Sequence, residues 1–231
     1  MTGTSLRFER VSFSGTGQLD ARIDHLVIAG WTGRDREMVV RHILELEELG
    51  VRRPEKTPMF YEVSNHLLTQ AESLQLMGDA SSGEAEIVLL DLPEGRFVGV
   101  GSDHTDRKIE THGIALAKQV CPKPVARTVW PCDEVIGHWD DLIVRSYAWR
   151  GDMRRLYQFG RAGQLLRPDD LLAQLAVDCR HLKGGTAVFL GTFAAIGGIE
   201  PADRFEFELE DPVLGRRIRG SNDFMTLAVA G

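Results

Sequence analysis

Hydrophobic and polar residues alternate over short stretches along most of this chain, which is the pattern of half-buried β-strands. Residues 6–13, 59–63, 141–149 and 204–209 show it most clearly, and the continuous apolar run at 187–190 is typical of a buried strand. Helical spacing occurs in fewer places. We therefore predict a strand-rich, mixed α+β fold, and the 231 residues fit one large domain or two small ones.

A minority of segments carry helix signals instead of strand signals. In the clearest one, Thr32 or Asp35 can act as the N-cap, Val39 and Ile43 recur at helical spacing, and Gly50 follows as a C-cap. Three further helices are predicted at residues 67–78, 131–139 and 168–182. The chain therefore combines many strands with three or four helices.

The stretch from residue 83 to 108 is predicted to be a hairpin with acidic residues at its open end. Residues 83–90 form its first strand, and the turn signal at 91–95 ends that strand. Because side chains alternate along a strand, Glu84 and Glu86 share one face. For a turn centred near Pro93, facing residues have numbers that sum to about 186, which places Asp103 opposite or next to Glu84.

Three carboxylates that converge in a partly dry site raise each other's pKa unless a cation lies between them. Oxygen ligands of this kind suit a hard divalent ion, Mg²⁺, Mn²⁺ or Ca²⁺, rather than zinc. The alternative is a solvated acidic strand edge, because Glu-x-Glu is also common on exposed strands. The residue pattern alone leaves both interpretations open.

Composition limits the kinds of binding partner and the cellular compartment that we expect for this protein. The formal net charge of −7 argues against nucleic acid or an anionic membrane as the partner. The three cysteines form no Cys-x-x-Cys pair, which favours a reducing compartment. With no signal peptide and no apolar run of membrane-spanning length, we expect a cytoplasmic protein.

Two histidines are candidates for acid–base chemistry. His42 and Glu45 lie three residues apart on one face of the first predicted helix, and His66 lies where the second begins. An ordinary solvated surface residue is the alternative for each of them. A cysteine enzyme is a weaker possibility, because Cys121 and Cys179 have no recognisable base nearby in the sequence.

Two other acidic stretches, 140–141 and 206–210, are predicted to face solvent rather than to bind a metal. In the second stretch, acidic residues alternate with apolar ones, as on a strand with one wet face. Exposed edge strands of this kind also suggest pairing between subunits.

Four separate motifs together resemble the fumarylacetoacetate hydrolase family, and they occur in the family's order over residues 57–220. The matching segments are the Glu-x-Glu strand Glu84-Ala85-Glu86, the Asp-x-Ser/Thr-x-Arg-Asp segment Asp103-His104-Thr105-Asp106-Arg107-Lys108, the Lys-Ser-Phe loop Lys118-Gln119-Val120 and the Gly-Thr-Pro strand end Gly191-Thr192-Phe193. The resemblance implies a β-roll or β-sandwich with a few peripheral helices. Residues 57–231 would form the catalytic β-roll, and residues 1–56 the N-terminal strands and a lid helix.

The resemblance also implies a role for individual residues. Glu84, Glu86 and Asp103 would be the ligands of Mg²⁺ or Mn²⁺, with Ca²⁺ possible. The substrate would contact Arg107, Lys118 and Thr192, and also Glu110, which stands where the family often has Gln. The pair His42 and Glu45 would be the catalytic base, with His66 as the alternative, and Lys118 would also take part in catalysis.

What the resemblance implies about activity is a metal-dependent hydrolase that cleaves a C–C bond in a 2,4-dioxo acid or acylpyruvate. In this chemistry the metal, as a Lewis acid, stabilises an enolate as it develops. A lyase (decarboxylase, hydratase or dehydratase) or a tautomerase of 2-oxo acids is the alternative, and a non-catalytic, metal-dependent binder of oxo acids is a second one. The family also implies a homodimer.

Overall fold

The computed structural model describes residues 3–48, 50–180, 182 and 184–229. Strands dominate these residues, as the alternating pattern predicts. The strands are β1 Thr4–Ser12, β2 Gly15–Ile23, β3 His25–Gly30, β4 Met59–Val63, β5 Leu68–Thr69, β6 Ser73–Met77, β7 Ser81–Ser82, β8 Ala85–Leu92, β9 Gly95–Ser102, β10 Thr105–Asp106, β11 Lys123–Pro124, β12 Thr128–Pro131, β13 Ile143–Arg150, β14 Met153–Arg161, β15 Thr186–Phe189, β16 Arg204–Asp211 and β17 Arg216–Leu227.

Two large sheets face each other in the described part of the chain. The larger has the order β2-β1-β12-β9-β8-β15-β3-β4, and the smaller has the order β14-β13-β16-β17-β6. Strand β2 also contacts β8, four positions away in the larger sheet, so this sheet curls. One apolar core lies between the sheets and a second lies inside the curl, which is a β-roll arrangement.

The central hairpin has the predicted pairing. β8 pairs antiparallel with β9 from Ala85 opposite Ser102 to Leu92 opposite Gly95. The residue numbers of these pairs sum to 187, one more than the turn signal indicates. β8 and β9 lie in the middle of the larger sheet, so both of their faces are buried.

The α-helices of the described residues are α1 Arg36–Glu48, α2 Arg107–Glu110, α3 Ile114–Gln119 and α4 Pro168–Asp178. Asp35 Oδ1 accepts hydrogen bonds from the amides of Glu37 and Met38, so Asp35 and not Thr32 caps α1. Gly50 follows α1 with φ 87°, a left-handed conformation that suits its predicted C-cap position. Pro168 occupies the first turn of α4, where its missing N–H costs no hydrogen bond.

Three local predictions are wrong. Most of residues 67–78 form strands rather than a helix, and Leu74 and Leu76 alternate with exposed neighbours in β6. Lys118 lies on α3 instead of in a loop. Residues 131–139 contain short 3₁₀ turns, Cys132–Glu134 and Ile136–Asp141, rather than an α-helix. For the two predicted helices, the periodic window is too short for sequence spacing to separate helix from strand or turn.

Residues 3–56 share a sheet with the rest of the chain, since β3 pairs with β4 and β15. The division at residue 56 stays a prediction. In the described residues, no helix is both long and apolar enough to cross a membrane.

Candidate metal centre

The open end of the β8–β9 hairpin brings the predicted carboxylates together. Glu84 and Asp103 are the residues immediately beyond the last strand pair, Ala85 and Ser102. The Asp103 amide donates a 2.8 Å hydrogen bond to the Glu84 carbonyl oxygen, and the Glu84 amide donates one of 3.0 Å to Ser102 Oγ. These bonds fix Glu84 and Asp103 against each other, and strand alternation adds Glu86 on the Glu84 side.

One carboxylate oxygen from each of Glu84, Glu86 and Asp103 lies within 4.8 Å of the other two. Asp103 is fully buried and Glu86 is only 2% exposed. The predicted convergence is therefore confirmed, and the alternative of a solvated acidic strand edge is wrong.

Two cationic side chains contact this cluster. Lys118 Nζ donates a short hydrogen bond to Asp103 Oδ2 and lies 3.3 Å from Glu84 Oε2. The Arg107 guanidinium lies 2.8 Å from Glu84 Oε1 and 3.0 Å from Glu110 Oε2. The structure thus brings Arg107, Lys118 and Glu110 to the predicted ligands.

Glu84 and Glu86 differ in the direction of their pKa shifts. Burial alone would raise the pKa of Glu84, but the charges of Arg107 and Lys118 outweigh it and hold that pKa well below its ordinary value. Burial, together with repulsion from Asp103, raises the pKa of Glu86 well above its ordinary value. Glu86 is therefore the carboxylate that would gain most from a cation beside it.

The donor set fits a hard divalent cation. All three groups are carboxylates, which suit Mg²⁺ or Mn²⁺. Asp103 Oδ1 is buried and accepts no hydrogen bond within the described residues. Lys123 Nζ lies 3.2 Å from this oxygen, but not in hydrogen-bonding geometry. Glu84, Glu86 and Asp103 could together hold the cation.

A sequence model of the family described as "Protein of unknown function (DUF2848)" matches residues 29–221. This chain belongs to the DUF2848 family. The match spans most of the chain, including the whole hairpin and the segments that carry Lys118 and Thr192.

Solved structures show which fold this DUF2848 protein has. Yeast ynq8, a fumarylacetoacetate hydrolase family protein, is similar with a TM-score of 0.62 and 16% identity over 88% of this chain and 94% of that chain. 5-Carboxymethyl-2-hydroxymuconate delta-isomerase from Mycobacterium smegmatis is similar with a TM-score of 0.61 and 15% identity over 98% of this chain and 100% of that chain. 2-Keto-3-deoxyarabinonate dehydratase is similar with a TM-score of 0.63 and 14% identity over 89% of this chain and 75% of that chain. The resemblance to the fumarylacetoacetate hydrolase family is thus confirmed at the level of the fold.

Thr192 lies beside the cluster of this DUF2848 protein but is engaged in holding the backbone. Its hydroxyl donates to the Ala85 carbonyl oxygen at 3.0 Å and accepts a 2.8 Å hydrogen bond from Gln158 Nε2. The preceding Gly191 amide donates to Glu86 Oε2 at 2.7 Å. The Gly191–Thr192 segment therefore orients Glu86, and the substrate-binding role of Thr192 stays a prediction.

The two candidate bases lie apart from the carboxylates. His42 Nδ1 lies 3.5 Å from Glu45 Oε2 on α1, and both side chains are more than half exposed. His66 is exposed, and its Nδ1 lies 3.5 Å from Thr4 Oγ1 on β1. The catalytic roles of all three residues stay predictions.

An aromatic pair lies between α1 and the cluster. The His42 ring is 5.7 Å from the Trp31 ring, and Trp31 Nε1 donates a 3.2 Å hydrogen bond to the Tyr61 hydroxyl. Burial raises the pKa of Tyr61, and the nearby charges of Lys118 and Asp103 also act on it. Trp31 has φ 61°, which is rare for a bulky residue and marks strain of the kind found near functional sites.

Three residues at the site were not predicted from the sequence. Lys123 is completely buried beside Asp103, Gln158 supports Thr192, and Tyr61 lies on a strand predicted only as such. Lys123 lies between two prolines, which indicate a loop and carry no signal for a buried charge. Only the pairing of distant segments brings these side chains to the hairpin.

Proposed function

We propose that this protein is a divalent-metal-dependent enzyme that hydrolyses a C–C bond in a 2,4-dioxo acid or acylpyruvate. The observation that supports this most directly is the buried cluster of Glu84, Glu86 and Asp103 with Lys118 and Arg107 in contact with it. A bound divalent cation would supply Lewis-acid stabilisation of negative charge on the substrate's keto oxygen.

Lys118 and Arg107 provide the fixed positive charge that an anionic substrate needs. Both side chains are largely buried, and the carboxylates raise the pKa of each above its ordinary value despite the opposing effect of burial. They therefore stay charged at neutral pH. A donor in such a site stabilises developing oxyanions without reorganising, and its loss commonly lowers the rate on the order of a hundredfold.

His42 with Glu45 would act as the base that activates water. This role requires α1 to move toward the carboxylate cluster. In this structure both side chains face solvent, and Trp31 connects the helix to Tyr61 near the cluster. Closure of α1 over the site would bring the imidazole toward the substrate and exclude water. Lids of this kind complete catalytic sites in many enzymes.

A lyase or tautomerase of 2-oxo acids is the second candidate. The exposed position of His42 favours it, because decarboxylation or tautomerisation needs the enolate to be stabilised but needs no water activated by His42. Two of the fold neighbours are a dehydratase and an isomerase by name, which shows that this fold is compatible with such reactions. A non-catalytic binder of oxo acids would use the same carboxylates.

A metal-dependent substrate screen tests the proposal. The purified protein, stripped with chelator and reloaded with Mg²⁺ or Mn²⁺, is assayed with acetylpyruvate, oxaloacetate and a 2-keto-3-deoxy sugar acid. We expect metal-dependent cleavage of acetylpyruvate to acetate and pyruvate. Release of CO₂ or water instead would favour the lyase, and no turnover of any of these acids would contradict the enzyme assignment.

Replacement of His42 separates the enzyme from a binder. Oxalate with Mg²⁺ should raise the melting temperature of the wild type and of His42→Ala alike, since neither probe needs the imidazole. Turnover should fall at least about a hundredfold in His42→Ala and stay unchanged in His66→Ala. The reverse pattern would make His66 the base.

We also propose that the protein forms a homodimer. Strands β2 and β4 are the edges of the larger sheet, and β14 and β6 are the edges of the smaller one. Unpaired strand edges are the groups that a second copy can extend or cover. Light scattering coupled to size-exclusion chromatography would give about twice the monomer mass, and a mass of one chain would contradict the proposal.

A further inference from the structure

Lys123 is a third cation at the candidate metal centre, and it lies on the far side of Asp103 from Lys118. The side chain is 0% exposed. Lys118 bonds to Asp103 Oδ2, while Lys123 Nζ lies 3.2 Å from Asp103 Oδ1. The carboxylate of the candidate ligand is therefore held between two ammonium groups.

Burial lowers the pKa of Lys123, but the hydrogen bonds of this side chain require the full set of protons. Its Nζ donates to three backbone carbonyl oxygens, those of His104 at 2.7 Å, Cys121 at 3.0 Å and Lys118. Carbonyl oxygens only accept, so three such bonds need three N–H groups, which an ammonium has and a neutral amine lacks. Geometry alone thus places a positive charge here.

The same three bonds connect the parts of the site. The His104 carbonyl belongs to the segment that follows Asp103, and the Lys118 carbonyl belongs to α3. Lys123 therefore ties the segment after a candidate metal ligand to the helix that carries Lys118, the lysine proposed to contact the substrate. A buried ammonium group without hydrogen-bond partners would destabilise the folded protein, so Lys123 depends on these carbonyl oxygens.

Formal charges show what a fixed third cation does to the site. Four carboxylates, Glu84, Glu86, Asp103 and Glu110, contact or adjoin three cations, Arg107, Lys118 and Lys123. The cluster carries one net negative charge, and a divalent ion would turn it into one net positive charge. Without Lys123 the metal-loaded cluster would be neutral and would attract an anion less.

We propose that Lys123 is a positioning residue of the metal centre that holds Asp103 opposite Lys118, weakens binding of the metal ion and strengthens binding of the anionic substrate. This inference rests on the proposed metal-dependent function. Its signature is a pair of opposite effects, because loss of a merely structural residue would weaken both metal and anion.

The test compares wild type, Lys123→Met and Lys123→Gln by calorimetric titration with Mn²⁺, followed by titration of the Mn²⁺-saturated protein with oxalate. We expect both variants to bind Mn²⁺ about tenfold more tightly and oxalate about tenfold more weakly, as loss of one nearby charge predicts. Lys108→Met, which removes an exposed lysine on α2, controls for net charge and should change neither affinity.

Weakening of both ligands, or no change in either, would overturn the inference. A wild type that binds no Mn²⁺ would overturn the proposed function and this inference together, whereas wild-type binding with unaltered variants would overturn this inference alone. Gln retains two N–H donors for the three carbonyls, so it keeps the test usable if the Met variant does not fold.

A measurement on the wild type needs no variant. In the ¹H–¹⁵N spectrum of lysine ammonium groups at neutral pH, Lys123 should give a slowly exchanging –NH₃⁺ signal that shifts when Mg²⁺ is added. Lys123→Gln identifies that signal by its loss. A signal with the shift of a neutral amine would overturn the inference.

Discussion

Two regions of this molecule are built from the same alternation of glutamates along a strand, yet they differ in chemistry. One is the candidate metal centre, with Glu84 and Glu86 at the start of the buried hairpin. The other is an arginine–glutamate ladder on the outer face of the smaller sheet. The ladder consists of Glu206, Glu208 and Glu210 on β16 with Arg145 on β13, Arg154 on β14, and Arg217 and Arg219 on β17.

In the ladder, each glutamate has an arginine partner, and cross-strand register supplies two of them to Glu208. Glu208 stands opposite Arg145 on β13 and Arg219 on β17, with ion-pair distances of 3.1 and 2.6 Å. Arg219 is 66% exposed, so water and salt share in the pairing. Such pairs contribute little to stability and leave no carboxylate free for a ligand.

At the metal centre, the surroundings of the carboxylates are dry. A hydrogen bond from Arg145 lowers the pKa of Glu210 in the ladder, whereas burial raises the pKa of Glu86. The comparison shows that Glu-x-Glu does not define a metal site by itself. The neighbouring strands decide, either by supplying arginines in register or by burying the carboxylates against each other.

The largest expected effect on metal binding comes from replacing a buried carboxylate. Glu86→Gln should weaken Mn²⁺ binding at least about a hundredfold, because losing a direct ligand exceeds the 10–100-fold cost typical of outer-shell partners. The matched change in the ladder, Glu206→Gln, should leave Mn²⁺ affinity unaltered. Calorimetric titration of both variants measures the difference, and equal losses would remove the distinction between the two regions.

A second prediction concerns Lys118 and the stability of the fold. Lys118→Met leaves the buried Asp103 without its closest cation, and breaking a buried pair in this way costs roughly 3–5 kcal/mol. Arg219→Met removes an exposed partner and should cost less than about 1 kcal/mol. Urea denaturation gives both free energies of unfolding.

Adding Mn²⁺ to the urea experiment sharpens this prediction. The metal should stabilise Lys118→Met more than it stabilises the wild type, since it replaces the missing positive charge and binds only the folded state. Equal stabilisation of the two proteins would mean that Lys118 and the metal do not share the same carboxylates.

Much of the candidate metal centre follows from local sequence rules. The turn signal around Pro93 sets the hairpin register, strand alternation aligns Glu84 with Glu86, and together they bring Asp103 to the same end. These rules work because antiparallel pairing across a short turn leaves few registers. The strand-rich fold follows in the same way from alternation repeated along the chain.

The ladder and the support of the site do not follow from local rules. The acidic run 206–210 was predicted to face solvent, but Glu208 is only 7% exposed because arginines from β13 and β17 cover it. Lys123 and Gln158 reach the hairpin from distant segments. Which strands become neighbours is decided by the global packing, and a single sequence carries that information only weakly.

A third prediction uses His104, which adjoins the metal centre and has no counterpart in the ladder. Burial, helped by the charge of Lys123, lowers the pKa of His104 to about 3 from 6.5. Between these values the unfolded chain binds the proton more readily, so the contribution to stability is complete above pH 6.5 and is lost as the pH falls toward 3. From pH 7 to 4.5 this loss is about 2–3 kcal/mol.

Urea denaturation of the wild type and of His104→Phe at pH 7 and pH 4.5 isolates the stability that is lost through protonation of His104. The aromatic ring keeps contact with Phe205 and Phe224 but cannot titrate, so the variant should lose less stability on acidification. Equal losses in the two proteins would show that His104 is not the group that responds.

The smallest expected effect belongs to the ladder. A double-mutant cycle with Glu208→Gln and Arg219→Met should give a coupling free energy of about 0.2–1 kcal/mol, because the Arg219 side chain is largely exposed even though Glu208 is covered. In 0.5 M NaCl, where the Debye length falls below about 8 Å, this coupling should decrease further. Because the bond between Lys118 and Asp103 is buried, the cost of Lys118→Met should stay nearly constant in the same salt. Coupling in the ladder that resisted salt would place Glu208 and Arg219 in a drier environment than the 66% exposure of Arg219 indicates, and would make the two regions electrostatically alike.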